Sequence, residues 1–199
     1  ARAPLASALM QIDDLPAAAQ TRLREPLTRG LTLAEEFLRT SRAEMLDTAR
    51  FEELDFGALL HQAVDDAFAG ARAKSVRLVR DLPDEPVWVN GEFGLLHRAV
   101  LNLVLNAVHY APPGSAVGVA LAVEAGQASA RVTDRGPGIA ADEQARLFQR
   151  FARAQGQVGG TGLGLYFVRT VAEKHGGSVT VRSAAGEPTC FVLKLPLVA

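Results

Sequence analysis

The spacing of apolar residues changes at Phe51, and that change limits what the chain can fold into. Before it, Leu5, Leu9 and Ile12, then Leu23, Leu27, Leu31, Ala34, Leu38 and Met45, recur at helical intervals with no strand pattern among them. "DDLPAAAQ", with its acids and Pro16, reads as a short turn, so two helices are expected to fold back antiparallel. Pro26 predicts a kink near the start of the second helix. Two helices alone leave an apolar stripe in water. A second copy completing a four-helix bundle is the simplest cover, which predicts a homodimer through residues 1–50; packing on the remainder of the same chain is the alternative.

From Phe51 onward, strand-like stretches alternate with helical ones. "VRLVRDL", "VWVN", "AVGVALAVEAG", "QASARVTD", "SVTVRSA" and "TCFVLKLP" read as strands. "FGALLHQAVDDAFAGARAK", "EFGLLHRAVLNLVLNAVHYA" and the run after Gly162 read as helices. "EAGQ" and "AAGEP" supply hairpin turns, and Pro112, Pro113 and Gly114 end a helix. Residues 51–199 therefore predict a second unit that mixes helix and sheet, making the chain α+β overall. With 199 residues and 48% hydrophobic content, a buried core is within reach. The 21 basic and 22 acidic side chains leave a net charge of -1, so nothing global draws the chain to nucleic acid or an anionic membrane. Cys190 stands alone, which excludes an internal disulfide and fits a reducing, cytoplasmic setting. No apolar run is long enough to cross a bilayer, so no membrane contact is expected of these residues.

Three local patterns carry chemistry. Asn102 and Asn106 lie four residues apart, on one face of an otherwise apolar helix. An amide is a poor helix-interior group and costly to bury unpaired, so the pair calls for a ligand or a network; capping of loops is the plainer reading. An amide oxygen also suits magnesium, which completes its shell with water and nucleotide phosphates. In "VTDRGPGI", Asp134 ends a strand beside Gly136 and Gly138, where an acid next to open backbone can accept a hydrogen bond from an exocyclic amine such as that of adenine; an ordinary turn acid is the alternative. Finally, Gly159, Gly160, Gly162 and Gly164 lead straight into a helix whose free amides and positive dipole end suit a di- or triphosphate. Neither standard phosphate-loop fingerprint is matched, and a flexible linker is the competing reading.

Taken in order, "NLVLNAVHY", "DRGPGI", "LFQRF" and "GGTGLGL" resemble the N, G1, F and G2 boxes of the sensor histidine kinase ATP-binding domain, a member of the gyrase, Hsp90, histidine kinase and MutL superfamily. The resemblance covers roughly Phe51 to Pro196 and implies a two-layer α/β sandwich of the Bergerat type, with ATP under a lid from about Arg153 to Gly160. It implies Asn106 as the magnesium ligand, Asn102 as its polar neighbour, Asp134 as the adenine acceptor, and Gly136 and Gly138 as the floor of the base pocket. Tyr110 is implied to stack near the base and Thr189 to assist its recognition. Phe148 and Phe151 match the F box, and Arg153 a frequently basic position beyond it. Gly160, Gly162 and Gly164 are implied to carry phosphate-facing amides, and Ile139, Thr161 and Leu163 complete the nucleotide-binding set. His109 stands where many relatives have lysine, so a permanent charge gives way to a side chain that titrates near neutrality. Weaker nucleotide binding at higher pH is the consequence expected.

"ARAPLASAL" resembles the tail of the H box, H-[ED]-x-R-[TSN]-P-L, through Arg2, Pro4 and Leu5. The phosphoacceptor histidine is therefore expected two positions before Ala1, and residues 1–50 are expected to form the dimerisation and phosphotransfer hairpin. His61, His97, His109 and His175 lie outside the motif and none is read as the acceptor; His175 before two glycines reads as a helix end. Ala3 occupies a position where related kinases use threonine or asparagine to orient water, which implies weak phosphatase activity. The reaction implied is transfer of the ATP γ-phosphoryl group to that histidine and then to an aspartate on a response regulator receiver domain. These residues alone are expected to bind ATP without autophosphorylating. A superfamily ATPase acting as a conformational clamp, and an anti-sigma-like serine kinase or nucleotide-binding regulatory module, are the competing functions.

Overall fold

A computed structural model describes residues 17–152, 161–184 and 186–198. Helix α1 (Ala17–Glu44) leads through a 3-10 turn (Thr48–Arg50) to β1 (Glu52–Asp55), α2 (Phe56–Ala73), β2 (Arg77–Asp81) and β3 (Trp88–Gly91). Then come α3 (Phe93–Tyr110), β4 (Ala116–Glu124), β5 (Gln127–Asp134), the short α4 (Ala141–Gln144), α5 (Gly164–Lys174), β6 (Ser178–Arg182) and β7 (Thr189–Pro196). The first helix of the expected hairpin lies outside the described residues. The second is α1, and its helical assignment runs through Pro26.

The main sheet has the order β2-β4-β5-β7-β6. β2 runs parallel to β4, and the other neighbours are antiparallel, so the sheet is mixed. β4 turns into β5 through Ala125 and Gly126, both at positive φ (50° and 74°), the geometry whose twist matches a two-residue hairpin. Along β4, Val117, Val119 and Leu121 are buried while the alternate residues Gly118 and Ala120 are half-buried, so one face of the sheet carries the core. Phe56, Leu59 and Leu60 of α2, Leu96, Val100, Leu103 and Val104 of α3, and Phe167, Val168 and Val171 of α5 join that face in one cluster. A separate antiparallel pair, β1 with β3, holds the start of α2 and of α3.

Local chemistry sets the helix ends. Asp55 accepts from the Gly57 amide at 2.9 Å to cap α2, and Glu92 accepts from the Leu95 amide at 2.6 Å to cap α3. Ala111 is extended (φ -59°, ψ 132°) because Pro112 follows it, and α3 stops there.

The C-terminal part of α1 packs on α5. Glu44 accepts from the Tyr166 hydroxyl at 2.9 Å and from Arg150 at 2.6 Å, while the Arg150 guanidinium lies 5.2 Å from the Tyr166 ring centre and 5.8 Å from that of Phe37. This part of α1 thus does pack on its own chain. Leu23, Leu33, Phe37 and Leu38 remain exposed along it, and Met45 just past its end, so contact with α5 leaves much of its apolar surface uncovered.

Candidate functional site

Asn102, Asn106 and Tyr110 follow one another at four-residue intervals along one face of α3, a row about 12 Å long at 1.5 Å per residue. The two ends of the row meet the other two motifs. At one end the Asn102 amide donates to the Gly164 carbonyl at 3.4 Å, at the entrance to α5. At the other, the backbone at Gly136 lies so near Tyr110 that a Cβ there would stand 3.2 Å from both its Cβ and its carbonyl oxygen. Asn106 sits half-buried between them.

Asp134, the last residue of β5, is buried. One carboxylate oxygen, Oδ1, accepts from the Gly136 amide at 2.7 Å, and a Cβ on Gly136 would approach that same oxygen to 2.7 Å. Burial pushes the Asp134 carboxyl above its ordinary value, and the Gly136 hydrogen bond pulls the other way. Opposite Asp134 in the β5–β7 register stands Thr189, also buried. Burial likewise raises the Tyr110 phenol.

Two residues outside the sequence-based set tie this corner together. Ser183 Oγ accepts from the Ile139 amide at 3.0 Å and lies 2.7 Å from the Thr189 hydroxyl. Gln144 donates its side-chain amide to the Ile139 carbonyl at 2.8 Å and to the Ser183 carbonyl at 2.7 Å. Gly138 makes the intervening turn at φ 82°, where a side chain would be strained.

At the glycine-rich entrance, α5 begins at Gly164, and its N-cap, Leu163, makes no side-chain capping bond. The first-turn amides of α5 are therefore left for another acceptor. Thr161 folds its hydroxyl back to accept from the Leu163 amide at 3.2 Å, and the same hydroxyl bonds Glu36 of α1. Gly162 has a more structural need for glycine than phosphate approach alone: at φ 73°, a Cβ would lie 2.7 Å from the Phe151 carbonyl carbon and 2.8 Å from the Ala152 oxygen. The Phe151 amide donates to the Gly162 carbonyl at 3.0 Å, so the F-box segment and the glycine loop lie backbone against backbone. Phe148 meets Phe191 edge-on at 6.3 Å. Arg153 and Gly160 lie outside the described residues, as does the expected lid.

His109 is exposed, its ring edge-on to Tyr110 at 4.8 Å. A lysine does reach this end of α3, but from elsewhere in the chain: Lys74 donates to the carbonyls of Val108 (3.1 Å) and His109, where a cation suits the negative end of the helix. Among the described residues there is no group of three or more His, Cys, Asp or Glu side chains that could hold a metal. A small cavity between α1, α3 and α5 is lined by Glu36, Thr40, Arg98, Asn102 and Phe167, among others. Burial, then Arg39, lowers the Arg98 guanidinium, with Glu36 and Glu35 opposing.

The family described as histidine kinase-, DNA gyrase B- and HSP90-like ATPases matches residues 91–199. The sensor histidine kinase TrcS of Mycobacterium tuberculosis is 36% identical over 196 residues, taking in 93% of this chain and 38% of TrcS. The sensor-like histidine kinase SenX3 of Mycolicibacterium smegmatis is 37% identical over 149 residues, covering 73% of this chain and 38% of SenX3. The chain thus spans less than two fifths of the length of these relatives. Among solved structures, the mycobacterial sensor histidine kinase MprB superposes with a TM-score of 0.65 at 33% identity, over 74% of this chain and 97% of that one. Full-length ShkA in complex with AMPPNP superposes with a TM-score of 0.83 at 25% identity, over 100% of this chain and 44% of that one.

Proposed function

We propose that this chain, which belongs to the histidine kinase-, DNA gyrase B- and HSP90-like ATPase family, is the ATP-binding catalytic core of a two-component sensor histidine kinase. The observation that carries the reading is the α3 row, whose ends touch the glycine entrance at Gly164 and the acid turn at Gly136. The sequence likeness to sensor histidine kinases supports the same reading.

In this reading the Asp134 carboxylate accepts a hydrogen bond from the adenine amino group and Thr189 supports the base beside it. Gly136 and Gly138 leave room for the flat ring, with Tyr110 and Ile139 at its borders. The uncapped amides at the start of α5 face the phosphates together with Thr161, Gly162, Leu163 and Gly164; Gly160, Arg153 and His109 are assigned to the phosphates on the family resemblance alone. Asn106, half-buried between the two ends, would hold magnesium by its amide oxygen, and Asn102 bonds the helix entrance at Gly164. Magnesium, when bound, offsets the charge of the phosphate oxygens.

The protein's part in the transfer is positioning and electrostatic support, since in-line displacement breaks one P–O bond and forms one P–N bond. The acceptor imidazole belongs two positions before Ala1, with a general-base acid next to it. A receiver-domain aspartate takes the phosphoryl group onward. Residues 1–50 pair with a second copy, a view supported by the exposed Leu23, Phe37 and Leu38 on α1. No helix among the described residues is long and apolar enough to cross a membrane.

Calorimetry with ADP and Mg²⁺ tests the site: heat from the wild type, lost in Asp134→Asn and reduced in Asn106→Ala, is expected. Absence of heat from the wild type would end the reading. For the parent protein, labelled ATP should leave an acid-labile, alkali-stable phosphoryl group. An acid-stable label would favour a serine kinase, and steady hydrolysis without label an ATPase clamp.

A further inference from the structure

We propose that Ser183 is a positioning residue that sets base specificity by fixing the proton of the Thr189 hydroxyl; the proposal rests on the adenine-nucleotide reading above. Ser183 Oγ accepts the Ile139 amide proton at 3.0 Å and stands 2.7 Å from Thr189 Oγ1. A hydroxyl has one proton and two lone pairs. An oxygen that already accepts a hydrogen bond becomes a better donor, because successive bonds polarise one another in the same direction. The relay therefore runs from the Ile139 amide to Ser183 and from Ser183 to Thr189. Thr189 then has its own proton to donate.

That direction matters because Thr189 faces Asp134 across the β5–β7 pair. An ionised carboxylate can only accept, so the corner offers one acceptor and one donor side by side. Adenine presents the complement, an amino donor at position 6 and an acceptor at N1. Hypoxanthine and guanine reverse both, with a carbonyl at position 6 and an N–H at N1. Without Ser183, the Thr189 hydroxyl is free to rotate and accept from N1–H, and half of the discrimination goes. Gln144 holds the same turn through the Ile139 and Ser183 carbonyls but takes no part in the hydroxyl relay.

Calorimetry of the full chain with Mg²⁺ and either ADP or inosine diphosphate tests this, with thermal unfolding run on each variant. Ser183→Ala is expected to weaken ADP about tenfold, the scale of one hydrogen bond, while inosine diphosphate is unchanged or gains. Ser183→Thr, which keeps the hydroxyl, should restore the wild-type ratio. Gln144→Ala, which loosens the turn alone, should weaken both nucleotides by the same factor. The proposal is overturned if Ser183→Ala leaves both affinities as they were or lowers both equally, or if Gln144→Ala shifts the ratio as Ser183→Ala does. A wild type that binds no ADP ends the nucleotide reading and this inference with it. A wild type that binds ADP beside an unaltered Ser183→Ala ends this inference alone.

Discussion

His175 lies flat against Phe51, their ring centres 4.3 Å apart and their planes 10° from parallel. Both imidazole nitrogens are engaged: Nδ1 is 2.7 Å from the Val171 carbonyl, and Nε2 accepts the Glu92 amide proton at 3.1 Å. The partners fix a neutral ring protonated at Nδ1, because a second proton on Nε2 would face the Glu92 N–H. Burial lowers the His175 pKa, opposed by the Val171 hydrogen bond and the Glu92 charge. What read as a helix end also joins α5 to β3 and the 3-10 turn.

A pH dependence of stability follows from that pairing. The unfolded chain takes up the His175 proton near pH 6.5 and the folded chain only below that, so the contribution is complete above about pH 6.5 and is lost as pH falls toward the lowered folded value. Urea unfolding at pH 7.5 and 5.5 should show a larger loss for wild type than for His175→Gln. Equal losses in the two proteins would count against the assignment.

Asp134 should trade stability for binding. Its raised pKa means the buried carboxylate is a cost at neutral pH, relieved only as pH falls through the raised value. Asp134→Asn keeps an oxygen for the Gly136 amide and removes the charge. The unliganded variant is expected to melt higher, by about 2–4 °C for each kcal/mol recovered, while ADP no longer raises its Tm. A lower Tm without nucleotide would refute the burial argument.

Two glycines should respond in opposite directions. A Cβ on Gly177 would run into the Lys194 carbonyl, a backbone group of β7 that cannot swing aside, whereas one on Gly30 in α1 meets nothing within 4 Å. Gly177→Ala is expected to cost about 3 kcal/mol or to prevent folding. Gly30→Ala should strengthen α1 by about 0.5–1 kcal/mol, read as a higher helix melting point by circular dichroism. A neutral Gly177→Ala would contradict the packing described.

Glu44 should govern how firmly α1 sits on α5. Its ion pair with Arg150 is partly exposed and so weak, but the Tyr166 hydroxyl shares the same carboxylate oxygen. Glu44→Ala is expected to lower global stability by about 1 kcal/mol or less and to speed amide exchange across residues 36–44. Unchanged exchange there would mean that the apolar contacts alone hold the helix.

Much of this was legible in the chain because it is local. Alternation in "QASARVTD" and the short apolar run in "TCFVLKLP" marked β5 and β7, and the Asn102, Asn106 and Tyr110 row follows from helical period alone. β1 escaped notice because "EELD" has no apolar alternation; it is a strand only because β3 pairs with it. The four-residue α4 was missed for a similar reason, being too short for any period to show.

By itself the sequence determined the strands other than β1, the helices other than α4 and the three motifs, since each depends on neighbours within a turn or a hairpin. Tertiary structure alone decided that Ser183 meets Ile139, that Gly162 lies on Phe151, and that Lys74 reaches the end of α3. Those contacts join residues far apart in the chain, and they exist because β7 lies between β5 and β6 and because α3 packs against both α2 and α5. A strand's period specifies which of its faces is buried, but it does not specify the neighbour against which that strand is laid.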